Sequence, residues 1–120
     1  MCSVSCVRRT PGRALAEFQA IQWKIADMAT EINAARLLTH RAAWLKSRGE
    51  PFSIAASQAK YFASEAAVRA ANEAVQIHGG YGFIKEFPVE KLYRDVKLMT
   101  IGEGTSEVQK MIIAKHLLQV

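Results

Sequence analysis

Glu103 stands between two glycines in the stretch Ile101-Gly102-Glu103-Gly104-Thr105-Ser106-Glu107-Val108-Gln109. Glycine permits sharp turns and lets a ligand approach the main chain closely. Thr105 and Ser106 are good helix N-caps, and Ser106 with Gln109 fits an S-x-x-Q capping box. The pattern predicts Glu103 at a loop-to-helix junction with open space around it. A carboxylate placed that way can take a proton as a general base. It can also do no more than set its charge against a helix N-terminus. The local pattern leaves both readings open.

Other residues carry weaker signals. Gln76-Ile77-His78-Gly79-Gly80 reads, taken alone, as a glycine C-cap beside an exposed glutamine. Arg8, Arg9 and Arg13 cluster near the start. Arginine suits phosphate because its planar fork donates two bonds at once, but a solvated arm fits equally well. Phe18 reads by period as a core residue. His78 has no evident catalytic partner. Cys2 and Cys6 lack further ligands nearby, and His40, His78 and His116 show no zinc spacing, so no metal site is expected. Two cysteines do not make a disulfide framework, which points to a reducing compartment.

The elements that must position Glu103 read as helices. Residues 1–13 are basic, contain Pro11-Gly12 and are expected to form an N-terminal arm. Residues 14–120 are expected to form one helical bundle. Phe18, Ile21, Ile25, Met28, Ile32 and Ala35 recur three and four apart, and Leu38, Ala42 and Leu45 continue with a small phase shift. That predicts a helix over 14–46, roughly 45–50 Å long. It should stop at Gly49 and Pro51. A second helix is predicted over 53–78, with a small-residue face of Ala55, Ala59, Phe62, Ala63, Ala66, Ala67, Ala70, Ala74 and Ile77. A loop over 81–85 follows. Pro88 opens a third helix, 88–99, and a fourth runs over 105–118 with Val108, Met111, Ile112 and Leu118 buried. The fold class is all-α, an antiparallel four-helix bundle.

Composition agrees. Half of the 120 residues are hydrophobic and 22% are charged, as in a globular domain. No apolar run approaches the roughly 18 residues of a membrane span. The formal charge is +5, but the basic residues are spread among acids. No nucleic-acid-binding motif accompanies them.

Three blocks resemble one family. The Ile101–Gln109 stretch resembles the signature near the C-terminus of acyl-CoA dehydrogenases. Ala74-Val75-Gln76-Ile77-His78-Gly79-Gly80-Tyr81-Gly82-Phe83, with Phe87 to Asp95, resembles a second block. Phe18-Gln19-Ala20-Ile21-Gln22 and Ala26-Asp27-Met28-Ala29 resemble a third. The blocks fall in family order and cover roughly Gly12 to Leu118, against the C-terminal third or so of the family's usual chain. No counterpart of its N-terminal helical domain or middle β-domain is present. The resemblance implies a helical C-terminal domain that is a fragment of the enzyme, inactive in isolation.

It also implies roles. Glu103 matches the base that removes the α-proton of an acyl-CoA in short- and medium-chain members, and its backbone N–H a donor to the thioester oxygen. A dry, apolar pocket would suit such a base. Gly104 matches a substrate contact. Lys115 stands where Arg is common and would serve as a cation near the substrate. Thr105, Ser106 and Glu107 match a run contacting FAD, although simple capping explains them too. Gln76, Ile77, His78, Gly79 and Gly80 match a stretch contacting the FAD of a partner subunit. Phe18 and Gln19 match another cofactor-contacting pair, and Arg8, Arg9 and Thr10 a run near the cofactor's phosphates. Pro11 departs from the usual Phe, and Gly102 from a common Tyr, which implies a wider acyl pocket.

The implied partners are an acyl-CoA, a second or further copy in a homodimer or homotetramer, and an electron-transfer flavoprotein as acceptor. The implied pathways are fatty-acid β-oxidation or amino-acid catabolism. The location is the mitochondrial matrix in a eukaryote or the cytoplasm in a bacterium. The alternative is a non-catalytic helical interaction module of the same ancestry.

Overall fold

A computed structural model describes residues 9–10 and 12–119. Arg8, Pro11 and the two cysteines of the opening segment lie outside the described residues. Arg9–Thr10 (β1) and Arg13–Ala14 (β2) form a two-residue antiparallel ladder, with Thr10 opposite Arg13. A single 3-10 turn, Leu15–Glu17, leads into the first long helix. Thus the main helix begins several residues later than its periodicity predicts.

That helix is α1, Gln19–Ser47, and it packs antiparallel along α2, Ser53–His78. Its half-buried positions include Ile21, Lys24, Met28, Glu31, Ala35, Leu38, Ala42 and Leu45. They alternate three and four apart throughout, a 3.5-residue period, which wraps one helix around the other. The small phase shift legible in the sequence is this drift. It also puts Glu31, not Ile32, on the seam: Ile32 is 49% exposed, against expectation. Two ion pairs cross the seam, Lys24 with Glu73 and Arg69 with Glu31. At the end of α1, Gly49 N–H donates to Lys46 and Glu50 N–H to Leu45, the predicted glycine stop.

The second long helix is the hub, because α1, α3, α4 and α5 all pack on it. A helix covered on several sides must be small. Its buried residues are Ala55, Ser57, Ala59, Ser64, Ala66 and Ala71. Of the predicted face, Ala55, Ala59 and Ala66 are buried and the rest are half-buried. The stretch expected as a loop instead starts with one helical turn, α3, Gly80–Phe83. There Gly82 is buried against α2, and a Cβ on it would lie 2.5 Å from the Val75 carbonyl oxygen.

Helix α4, Pro88–Val96, opens on its proline as predicted, but its tail tightens into a 3-10 turn over Lys97–Thr100. The final helix, α5, is Ser106–Leu118. Its predicted stripe is largely wrong: Val108, Met111 and Leu118 are 38%, 62% and 69% exposed. Ser106 and Gln109 are buried instead, with Ile112 and Ile113 half-buried. Polar side chains face α2 here because both have hydrogen-bond partners, described below. The molecule is a rod of 57 × 25 × 24 Å. Among the described residues, no helix is long and apolar enough to cross a membrane.

Candidate active site

Between the 3-10 turn and α5 the chain must reverse in a few residues, and it does so at Glu103 and Gly104. Both adopt left-handed backbone, with φ of +55° and +87°. Glycine takes this conformation freely; glutamate does not. Strain of this kind, at a residue with chemistry to offer, is a common companion of function.

Three hydrogen bonds from two donors hold the turn. Gln109 Nε2 donates to the backbone carbonyls of Glu103 and Gly104, at 3.1 and 3.4 Å. Lys60 Nζ, from α2, donates to the Gly104 carbonyl at 2.5 Å. The capping differs from the predicted box. Thr105 is the N-cap and accepts from the Val108 N–H at 3.4 Å. Ser106 is already inside the helix, and its hydroxyl donates to Glu65 Oε1 at 2.5 Å. Ser106 therefore ties α5 to α2, and its hydroxyl is committed to that bond.

Beside the turn lies a cavity of about 660 Å³. One wall is Lys60, Ala63, Ser64 and Ala67 of α2; the other is Leu98, Met99, Gly102 and Glu103. The α2 residues recur three and four apart, so they share a face. Glu103 is exposed, and the apolar side chains of the same wall, Leu98 and Met99, are 60% and 51% exposed. At Gly102 a Cβ would meet the Leu98 carbonyl oxygen at 3.4 Å and Leu98 Cδ1 at 3.9 Å, ordinary contacts, so the position could take a Cβ without a clash. Glu107 is exposed at the first turn of α5. Its carboxyl is held below its ordinary value of 4.5, first by its own backbone N–H and then by the Thr105 hydroxyl; Lys110 and Lys97 add to this.

The other candidates sit elsewhere. Phe18 caps α1, half-buried, with the Arg13 guanidinium 5.3 Å from its ring centroid; Gln19 is exposed beside it. Because α1 and α2 are antiparallel, this end of α1 lies alongside the C-terminal end of α2. There Gln76, Gly79 and Gly80 are exposed, and a Cβ on Gly80 would meet nothing within 4 Å. Ile77 is half-buried, and His78 Nδ1 lies 2.7 Å from the Ala74 carbonyl oxygen. From Lys60 to Gln76 is 16 residues of helix, roughly 24 Å. One chain therefore presents two separate surfaces, one at Glu103 and one at Gly79-Gly80. Lys115 lies nine residues beyond Ser106, roughly 13 Å down α5, exposed and outside the cavity wall. Thr10 and Arg9 are placed only as backbone in β1.

Sequence reasoning missed Lys60, Glu65, Leu98 and Met99, and saw in Gln109 only a capping residue. A faint signal was available. Lys60 interrupts a face of α2 that otherwise consists of small residues, where a long cation needs a local reason. Among the described residues no group of His, Cys, Asp and Glu is arranged to hold a metal ion.

The open backbone at Gly79-Gly80 and the exposed amide of Gln76 suit a large polar cofactor with its own acceptors and donors, as a flavin dinucleotide has. Comparison with known proteins bears on the same point. Residues 2–118 match the model of the C-terminal domain of acyl-CoA dehydrogenases. A probable acyl-CoA dehydrogenase of Bacillus subtilis is 55% identical over 112 residues, covering 93% of this chain and 30% of that protein. The solved butyryl-CoA dehydrogenase of Megasphaera elsdenii is 47% identical, with a TM-score of 0.92, covering 95% of this chain and 30% of that one. PigA, solved as an FAD complex, is 29% identical with a TM-score of 0.90, covering 94% of this chain and 30% of its own. The chain thus spans about 30% of the length of these relatives. It belongs to the acyl-CoA dehydrogenase family, as its C-terminal helical domain.

Proposed function

We propose that this chain is the part of an FAD-dependent acyl-CoA dehydrogenase that carries the proton-abstracting base, Glu103. The observation that carries the reading is the exposed Glu103 carboxylate on a strained turn, at the wall of a cavity whose apolar lining includes Leu98 and Met99. An acyl-CoA needs such a site: an apolar wall for the chain and a carboxylate for the carbon next to the thioester.

In this reading Glu103 takes the α-proton, and the C–H electron pair enters the enolate. The Glu103 backbone N–H donates to the thioester oxygen, where negative charge develops. The enolate pair then forms the Cα–Cβ double bond as hydride departs from Cβ. When bound, FAD would supply the hydride acceptor. Thr105 and Glu107 edge one cofactor surface, and Gln76, Gly79 and Gly80 the other. The separation of these two surfaces by roughly 24 Å supports a cofactor shared between copies, hence a homodimer or larger assembly. The substrate is an acyl-CoA and the electron acceptor of the whole enzyme an electron-transfer flavoprotein.

A specific observation also favours an interaction role. Trp23, Leu37 and Trp44 are 61%, 70% and 56% exposed on the outer side of α1. The two readings separate by colour and by chemistry. The protein, isolated at the length its own cells make it, is expected to bind FAD and to bleach anaerobically with an acyl-CoA. Glu103→Gln should slow bleaching by about 10²–10⁴-fold at equal flavin content, the usual share of general-base catalysis. Equal rates would remove Glu103 from the base role. A colourless protein that only associates would support the interaction module.

A further inference from the structure

We propose that Lys60 and Gln109 are positioning residues that hold the Glu103–Gly104 turn in its left-handed form and so aim the Glu103 carboxylate. The proposal rests on the base reading above. Two consecutive residues in left-handed backbone do not persist by local preference when one is a glutamate, so the surroundings must enforce the turn. Here two donors from two different helices converge on it. Gln109 on α5 reaches both carbonyls, and Lys60 on α2 reaches that of Gly104. The turn is clamped between α2 and α5.

Gln109 is only 7% exposed, at a position on α5 where an aliphatic side chain would bury more apolar surface. A buried amide is costly unless bonded, and the Gln109 amide nitrogen gives both of its hydrogen bonds to this turn. Its nitrogen is packed so closely that a Cβ on Gly104 would lie 2.8 Å away. Lys60 is half-buried and lines the cavity on the wall facing Glu103, so its ammonium fixes the turn from across the cavity. Neither residue is asked to touch the reacting carbon. Gln109 acts through the backbone of Glu103 and Gly104, and Lys60 through that of Gly104.

The test uses the protein at its natural length, loaded with FAD, and compares Glu103→Gln, Lys60→Met, Lys60→Arg and Gln109→Met. The rate is flavin bleaching per bound FAD, with an acyl-CoA series. Misplacing a reacting group by about 1 Å can cost about a hundredfold, so Lys60→Met and Gln109→Met should each lose about tenfold to a hundredfold in kcat. KM and flavin content should stay near wild type, and Lys60→Arg, which keeps an N–H donor, should recover most of the rate. Placed on top of Glu103→Gln, the same changes should cost little more, because they act through Glu103. Lys60→Met keeps the test in force if Gln109→Met does not fold. A slow Glu103→Gln beside full-speed Lys60→Met and Gln109→Met overturns the positioning role alone. So does an undiminished loss in the Glu103→Gln background, or a rate loss that merely follows flavin loss. A full-speed Glu103→Gln overturns the base reading and the positioning role with it.

Discussion

Ser106 Oγ donates to Glu65 Oε1 at 2.5 Å and thereby fastens the first turn of α5 to the middle of α2. Ser106 is 4% exposed, and the bond has a carboxylate as its acceptor, so it belongs to the stronger kind. Ser106→Ala would leave the half-buried Glu65 without this donor. The expected cost is about 1–3 kcal/mol, read as a lower denaturation midpoint with helicity unchanged. A midpoint equal to wild type would show that the tie carries no stability.

Glu103 occupies a backbone region that glycine prefers. Left-handed backbone costs an ordinary residue about 1–2 kcal/mol, while glycine loses about 0.5–1 kcal/mol through extra freedom in the unfolded chain. Glu103→Gly should therefore stabilise the chain by about 0.5–1 kcal/mol on balance. Glu103→Ala, with a Cβ still in place, should show no such gain. In the reading proposed above the stabilised variant would also be inactive, because the base is gone. Chemical denaturation of both variants decides the first point, and a destabilised Glu103→Gly would contradict it.

Glu107 sets an acid limit on the start of α5. Its folded-state value is depressed below 4.5, chiefly by its own backbone N–H and the Thr105 hydroxyl. A depressed carboxyl contributes stability that is fully present above the unfolded value and is lost as pH falls through the folded one. The contribution should be complete well above the ordinary value of 4.5 and be lost progressively as pH falls below it. Glu107→Gln should therefore change stability at pH 6 and much less at pH 3. The comparison is of denaturation midpoints at the two values; a difference that is the same at both would exclude this linkage.

The outer side of α1 bears Trp23, Leu37 and Trp44 at seven- and fourteen-residue spacing, all exposed. Such a stripe on a helix tends to find a partner surface. We expect the chain to associate at micromolar concentration. Trp23→Gln with Trp44→Gln should shift it toward monomer, with circular dichroism unchanged. Sedimentation equilibrium reads the shift, and a wild-type monomer would count against it.

How much of this was legible in the sequence depended on whether the cause was local. The helical class, the Gly49 stop of α1 and the Pro88 start of α4 follow from periodicity and from backbone rules that act within a few residues. So does the turn at Gly102-Glu103-Gly104. Family resemblance added the proposal for what the site does, because a motif can be read without knowing what it packs against.

What tertiary structure alone decided is which polar groups meet. Ile32 lost its place on the seam to Glu31 because two helices that wrap around each other follow a 3.5-residue period, not 3.6. Val108 and Met111 were expected inside and Ser106 and Gln109 at a cap, since an apolar stripe is the usual content of a helix face. That expectation failed because Glu65 on α2, some forty residues away in sequence, accepts from Ser106, and the Glu103 and Gly104 carbonyls of the folded-back turn accept from Gln109, which makes burial of both polar side chains favourable. The separation of Glu103 from Gly79-Gly80 was equally invisible. It is set by the length of α2 between them, which only matters once the helices are laid side by side.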